Sequence, residues 1–325
     1  MSDHAIVAGG GQLPSLGGIA LPQLMLDAGE KACRRYIEFF TAHIRNRNTR
    51  EAYARAVRQF ASWCEKRHVS LLEVSPFLVA AYIEEVADRL DAPSVKQHLA
   101  AIRMLFDFLV VGQILPMNPA GSVKGPKHVV KRGKTPVLDP DQARQLLDSI
   151  DTSTIAGLRD RALIAVMVFS FARVSAVAGM NVEDYRPDGK RWWFRLHEKG
   201  GKFHEVPAHH KAEEYVDQYL AAAGLDDERR SPLFRSLSRR RQLTDRRIHR
   251  REVLAMIKRR AREASLPSAV CCHTFRATGI TAYLLNGGTL EHAQQIAAHE
   301  SPRTTKLYDR TRDEITLDEI ERILI

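Results

Sequence analysis

Residues 271–308 read CCHTFRATGITAYLLNGGTLEHAQQIAAHESPRTTKLY. His273 and Arg276 stand three apart, so at the start of a helix they share one face. The pattern predicts helices over 274–286 and 290–298, and a short one over 302–309 opened by Ser301-Pro302. His299 lies 23 residues past Arg276, and Tyr308 lies nine past His299. A histidine–arginine pair, a second histidine and a terminal tyrosine are thus carried by three consecutive short helices.

Upstream, Phe171-Ala172-Arg173-Val174-Ser175 closes a helix whose residues 160–172 are apolar nearly all round. Such a helix is expected to be central and buried. Residues 192–207 switch to period two, with Trp192, Phe194 and Leu196 on one face. Glu198-Lys199-Gly200-Gly201-Lys202 then reads as a turn and Phe203–Val206 as the returning strand. Helices are expected at 211–223 and about 245–264, and a small amphipathic helix at 316–325. Asp139-Pro140 supplies an N-cap and a first-turn proline where this half begins.

The first half reads as four amphipathic helices, each following the i, i+3, i+4, i+7 rule. Their stripes include Tyr36–Ile44, Tyr53–Cys64, Val79–Leu90 and Val95–Leu109. Asn48 with Glu51, Ser75-Pro76, and Ser94 with Gln97 are the expected starts of the last three. Before them, glycines and prolines mark residues 1–24 as a flexible arm. After them, residues 119–136 carry Lys124, Lys127, Lys131, Arg132 and Lys134 among prolines and glycines, a basic linker.

The 325 residues have a net charge of +10 and a pI near 9.6, pointing to a polyanionic partner. Residues 229–262 hold fourteen Arg or Lys and two acids, and Arg239, Arg240, Arg241, Arg246 and Arg247 are candidate phosphate contacts. The longest apolar run, Ala162–Ala172, falls short of the roughly 20 residues that span a bilayer. The N-terminus lacks the layout of a signal peptide, so a cytoplasmic protein is expected. Cys33, Cys64, Cys271 and Cys272 match neither a zinc site nor a disulfide framework, and reduced thiols are expected.

Taken in order, these residues resemble the tyrosine recombinase, or phage integrase, family over roughly residues 30–325. His273 and Arg276 match the family's H-x-x-R, and His299 and Tyr308 match its later histidine and nucleophile at the family's spacing. Arg173 matches the first arginine, and Lys199 in EKGGKFHEVP matches the hairpin lysine. NTREAYARAVRQF is similar to part of the family's helical domain. Three positions depart from the usual pattern. Phe171-Ala172-Arg173-Val174-Ser175-Ala176 stands where G-L-R-[IV]-S-E is common, so Arg173 lacks a nearby carboxylate. Ala277 replaces a basic residue or threonine, and Ala297-Ala298 replaces the L-G before His299.

The resemblance implies a mainly α fold with a small antiparallel sheet. It divides the chain into a 1–24 arm, a 25–118 helical core-binding DNA-binding domain, the 119–136 linker and a 137–325 catalytic domain ending in the 316–325 helix. It implies an enzyme that cuts and rejoins DNA through a 3′-phosphotyrosyl link made by Tyr308. Arg173 and Arg276 would bind the phosphate oxygens. Lys199, with Lys202 as the alternative, would protonate the 5′ oxygen, and His273 and His299 would assist at the tyrosine and the phosphate. No metal and no cofactor is expected. Implied partners are double-stranded DNA at a specific site and three further copies of the chain, with or without an accessory protein. Two rival readings remain: a type IB topoisomerase that relaxes DNA, and a DNA-binding regulator without catalysis.

Overall fold

Helix starts in the first half are set by side chains that cap the free backbone N–H groups. Asn46 Oδ1 accepts from Thr49 N at 3.1 Å and opens α3 (Arg47–Glu65). Ser75 and Pro76 open α4 (Pro76–Ala87), and Asp91 opens α5 (Ala92–Val111). Two of these starts lie earlier than the Asn48 and Ser94 read from sequence. In each case a better-placed side-chain oxygen sits upstream of the helical stripe. Ahead of them, β1 (Ser15–Leu16) pairs antiparallel with β2 (Ile19–Ala20). α1 (Gln23–Asp27) and α2 (Glu30–Glu38) follow, and α2 runs on into a π-turn at Phe39–His43.

The computed structural model describes residues 15–16, 19–128, 133–198, 203–309 and 321. The expected 316–325 helix, apart from residue 321, lies outside them, as do Lys131, Arg132, Lys199 and Lys202. The chain divides into two compact units, Met1–Val129 and Val130–Ile325. Among the described residues no helix is long and apolar enough to cross a membrane.

The first unit is held by an aromatic and aliphatic core. Phe60 meets Tyr82 edge-on at 5.1 Å and Phe106 at 6.0 Å, with Leu99, Ile102 and Leu105 beneath. Burying one such side chain contributes about 1.5–3 kcal/mol. The core extends beyond the limits expected from sequence. Leu21 and Leu24, assigned to the arm, are buried in it, and so are Ala120 and Val123, assigned to the linker. Arg103 Nε donates to Ala120 O at 3.0 Å and fastens that end. Prolines and glycines hid these apolar residues within stretches that read as loop.

The second unit is built around α7 (Ile155–Phe169), whose Ala162–Met167 are fully buried. Around it lie α6 (Pro140–Asp148), α8 (Val174–Gly179), α9 (His210–Ala223), α10 (Arg250–Glu263), α11 (Cys272–Leu285), α12 (Leu290–Ile296) and α13 (Pro302–Lys306). A three-stranded antiparallel sheet runs β3 (Tyr185–Asp188), β4 (Arg191–His197), β5 (Phe203–Pro207). The β4–β5 pair is the one expected, in register Phe194 with Val206, and β3 adds an edge. A second hairpin, β6 (Arg235–Leu237) and β7 (Leu243–Arg247), occupies part of the basic stretch where helix was expected from about 245. Dense arginine hides its apolar alternation, and α10 starts only after His249 caps it.

One contact seats α11 on α7, and a buried charge network ties α7 to α10. A Cβ added at Gly279 would lie 2.1 Å from Val168 O and 2.7 Å from the Phe171 ring, so α11 rests backbone-on on the end of α7. Opposite, the fully buried Asp160 accepts from Arg159 at 2.6 Å, Arg259 at 3.0 Å and Arg260 at 2.9 Å, tying α7 to α10.

Candidate active site

Arg173 is the N-cap of α8, two residues past Phe171, whose backbone is left-handed (φ 52°). His273 and Arg276 lie on the first two turns of α11, opened by Cys271 with Thr274. His299 follows Ala298, also left-handed (φ 47°), and Tyr308 follows α13. Both left-handed positions are those where a family glycine was missing from the sequence. A non-glycine residue there costs roughly 1–2 kcal/mol, so the surroundings must hold it.

What those turns deliver is a cradle for Arg276. Its Nη1 donates to Phe171 O, and its Nη2 donates to Ala297 O at 2.5 Å. The residue is about 1% exposed, and among the described residues its Nε has no hydrogen-bond partner. An unmatched buried donor is costly, and this one lies beside Tyr308, whose charge its own affects.

The tyrosine is held at backbone and ring. Tyr308 N donates to Thr305 O at 2.9 Å, and Tyr308 O accepts from Thr281 Oγ1 at 3.0 Å. Its ring joins an apolar cluster with Phe171, Ala277, Ile280 and Ala297. Ala277, the second departure from the pattern, is therefore packing against the floor of the site. The phenol oxygen lies 2.6 Å from His273 Nε2, and the ring stacks on His299 at 5.8 Å and 6°. His299 Nδ1 in turn lies 2.9 Å from Thr305 Oγ1.

Electrostatics keep the histidines neutral. Burial first, then the Arg276 and Arg173 charges, lower His273. The same causes, with His273 added, lower His299 to about 3. Burial pushes the Tyr308 phenol up against the opposing pull of Arg276 and Arg173, so it stays protonated. Burial, then Arg173, lowers Arg276 to about 10, which leaves it charged at neutral pH. A neutral imidazole 2.6 Å from a neutral phenol can take its proton as a base.

Arg173, His273, Arg276, His299 and Tyr308 are thus brought together, and Lys199 and Lys202 lie outside the described residues. Sequence reading missed Glu198, whose Oε2 is 2.5 Å from Arg173 Nη1. It also missed Thr281 and Thr305. A bare arginine lacking an acid one turn on was the available signal for Glu198. Of the basic candidates, Lys124, Lys127, Lys134, Arg239, Arg240, Arg241, Arg246 and Arg247 are exposed. Arg247 also donates to Ala178 O, Met180 O and Asn181 Oδ1 at 2.5–3.0 Å. It braces β7 against the segment after α8. Among the described residues no three His, Cys, Asp or Glu side chains stand where they could hold a metal ion.

Residues 136–314 match the profile of the phage integrase family, and residues 35–112 match that of the phage integrase N-terminal SAM-like domain. The tyrosine recombinase XerC of Pelobacter propionicus is 30% identical over 265 residues, covering 80% of this chain and 84% of that protein. Among solved structures, the XerH site-specific recombinase bound to difH substrate superposes with a TM-score of 0.67 at 15% identity, covering 93% of this chain and 95% of that one. A lambda integrase tetramer bound to a Holliday junction gives 0.65 at 17% identity, covering 87% and 78%. At those identities the two structures establish the fold.

Proposed function

The chain belongs to the phage integrase family and is a tyrosine-type, site-specific DNA recombinase; from that premise we propose that Tyr308 is its nucleophile and that Arg173, His273, Arg276 and His299 serve it. The 2.6 Å contact between His273 Nε2 and Tyr308 Oη carries this reading. The phenol passes its proton to the neutral His273 as its oxygen bonds to the scissile phosphorus. The bond from phosphorus to the 5′ oxygen breaks, and that oxygen takes a proton from Lys199, or from Lys202. A 5′ hydroxyl from the partner strand then reverses the step and releases Tyr308, so no bond energy is lost.

Charge builds on the phosphate oxygens in the transition state. Arg276 presents an Nε with no partner among the described residues, and Arg173 a guanidinium with an open side. Preorganised donors of this kind are worth about 3–4 kcal/mol each. Two guanidiniums supply the positive charge the step requires, so the reaction proceeds without a metal. His299, stacked on the tyrosine, orients it and donates to a phosphate oxygen. Exposed Arg239, Arg240, Arg241 and Arg246, with Lys124, Lys127 and Lys134, contact the DNA backbone. The helical 25–118 segment grips the same duplex, and the protein works in the cytoplasm as a tetramer on paired sites.

The test uses nicked duplexes from DNA flanking the gene, incubated in EDTA and run on a denaturing gel. The wild-type protein yields a slow protein–DNA band, and Tyr308→Phe binds the same duplex without one. A band of equal strength from Tyr308→Phe overturns the assignment. Tight binding with no band from either protein transfers the weight to the regulator reading, and relaxation of a supercoiled plasmid without joined partners to the topoisomerase reading.

A further inference from the structure

Arg173 has no acid on its own helix to hold it. Among the described residues its single ion pair comes from elsewhere: Glu198, the residue after β4, 2.5 Å away. The two ends of this pair differ in exposure. The Glu198 side chain is 8% exposed and that of Arg173 38%. The carboxylate thus faces inward on the arginine, and the guanidinium keeps an open edge. A charge-assisted bond to one edge of a guanidinium fixes its plane and leaves its other N–H groups free to donate. Position 176, one turn along from Arg173, is a fully buried alanine that can offer nothing.

We propose that Glu198 is the positioning residue for Arg173, holding its guanidinium at the angle that meets the scissile phosphate and offsetting the charge of two neighbouring arginines until that phosphate arrives. The inference rests on Arg173 being a phosphate ligand. Charge balance agrees with it: Arg173 weakens the hold of Arg276 on its proton, and Glu198 opposes that effect. Glu198 is also one peptide bond from Lys199.

A double-mutant cycle separates positioning from mere structure. Single-turnover cleavage of the nicked duplex is measured for the wild-type protein, Glu198→Gln, Arg173→Lys and the double variant, with thermal melting and duplex binding as controls. Lysine keeps the charge and loses the planar fork, so nothing remains for Glu198 to aim. Glu198→Gln should cleave 10- to 100-fold slower than wild type, yet slow the Arg173→Lys protein less than 3-fold. Glu198→Asp, with the charge kept on a shorter arm, should recover at least part of the rate, and it replaces the glutamine variant if that one fails to fold. A wild-type rate in Glu198→Gln, or effects that multiply in the double variant, overturns the proposal. Absence of any Tyr308-dependent band from the wild-type protein overturns the functional reading beneath it.

Discussion

The two units bury different kinds of side chain. Among the described residues of the first unit the buried polar or charged residue is His98, 3.1 Å from the Tyr82 hydroxyl, inside an otherwise apolar core. In the second unit Arg159, Asp160, Arg276, His299 and several threonines are buried. Removing a guanidinium or a carboxylate from water costs several kcal/mol unless partners replace the water. The second unit meets that cost with networks: three arginines on Asp160, and two backbone carbonyls on Arg276. Both units pack around apolar cores, but the second adds networks of buried charge, and the candidate active site lies in it.

The largest test of that contrast removes a polar centre from each unit. Asp160→Ala removes the buried acceptor shared by three guanidiniums, leaves Arg159 without its ion pair, and should destabilise the second unit by about 3–5 kcal/mol. Replacing both members of the other pair, with Tyr82→Phe and His98→Leu together, should change the first unit by less than about 1 kcal/mol. Hydrogen exchange read peptide by peptide measures each unit in the intact chain. Equal losses in the two units would break the comparison.

Acid provides the next test. Burial, then Arg89, lowers His98, and His273 and His299 are lowered as described. A histidine whose folded value is depressed lets the unfolded chain take up the proton first. The stability it contributes is therefore complete above about pH 6.5 and is lost as pH falls toward the folded value. For His299 that window runs from about 6.5 down to about 3. Between pH 6.5 and 5 the second unit should lose roughly 1–2 kcal/mol through this residue. The same exchange experiment should show protection falling further there than in the first unit.

The smallest effect discriminates most finely. Gln113 in the first unit and Ala298 in the second are both left-handed (φ 54° and 47°). Either one changed to glycine should gain about 0.5–1 kcal/mol. Ala298→Gly alone should shift the cleavage rate, by a few fold, because the adjacent Ala297 carbonyl holds Arg276. A rate change of equal size in Gln113→Gly would erase the distinction.

The sequence was most legible where chemistry repeats at fixed intervals. His273 and Arg276 fall on one face because a helix returns every 3.6 residues, and the buried run at 160–172 announced the central helix. Boundaries were harder, since Asn46 and Asp91 outcompete the caps nearer the apolar stripes. The β6–β7 hairpin was hidden because its strands carry arginine where apolar alternation would show. Glu198 belonged to a recognised turn, but its pairing spans 25 residues, and no local periodicity encodes such a contact. Arg247 shows the same limit, since clustering on the chain says nothing about which exposed cation also holds a neighbouring backbone.

The close seat of α11 on α7 at Gly279 has a mechanical consequence. With no side chain between them, the two backbones leave no room for a sliding layer, so the helix bearing His273 and Arg276 is stiff against its neighbour. Other parts of the site are tied to that seat more than once: β5 by its ladder with β4 and by His204 Nε2 to Ile296 O at 2.9 Å, and Tyr308 by Thr281, His273 and the His299 ring. Displacement on loading DNA would then be felt beyond this braced group, around an arginine and a histidine that stay still.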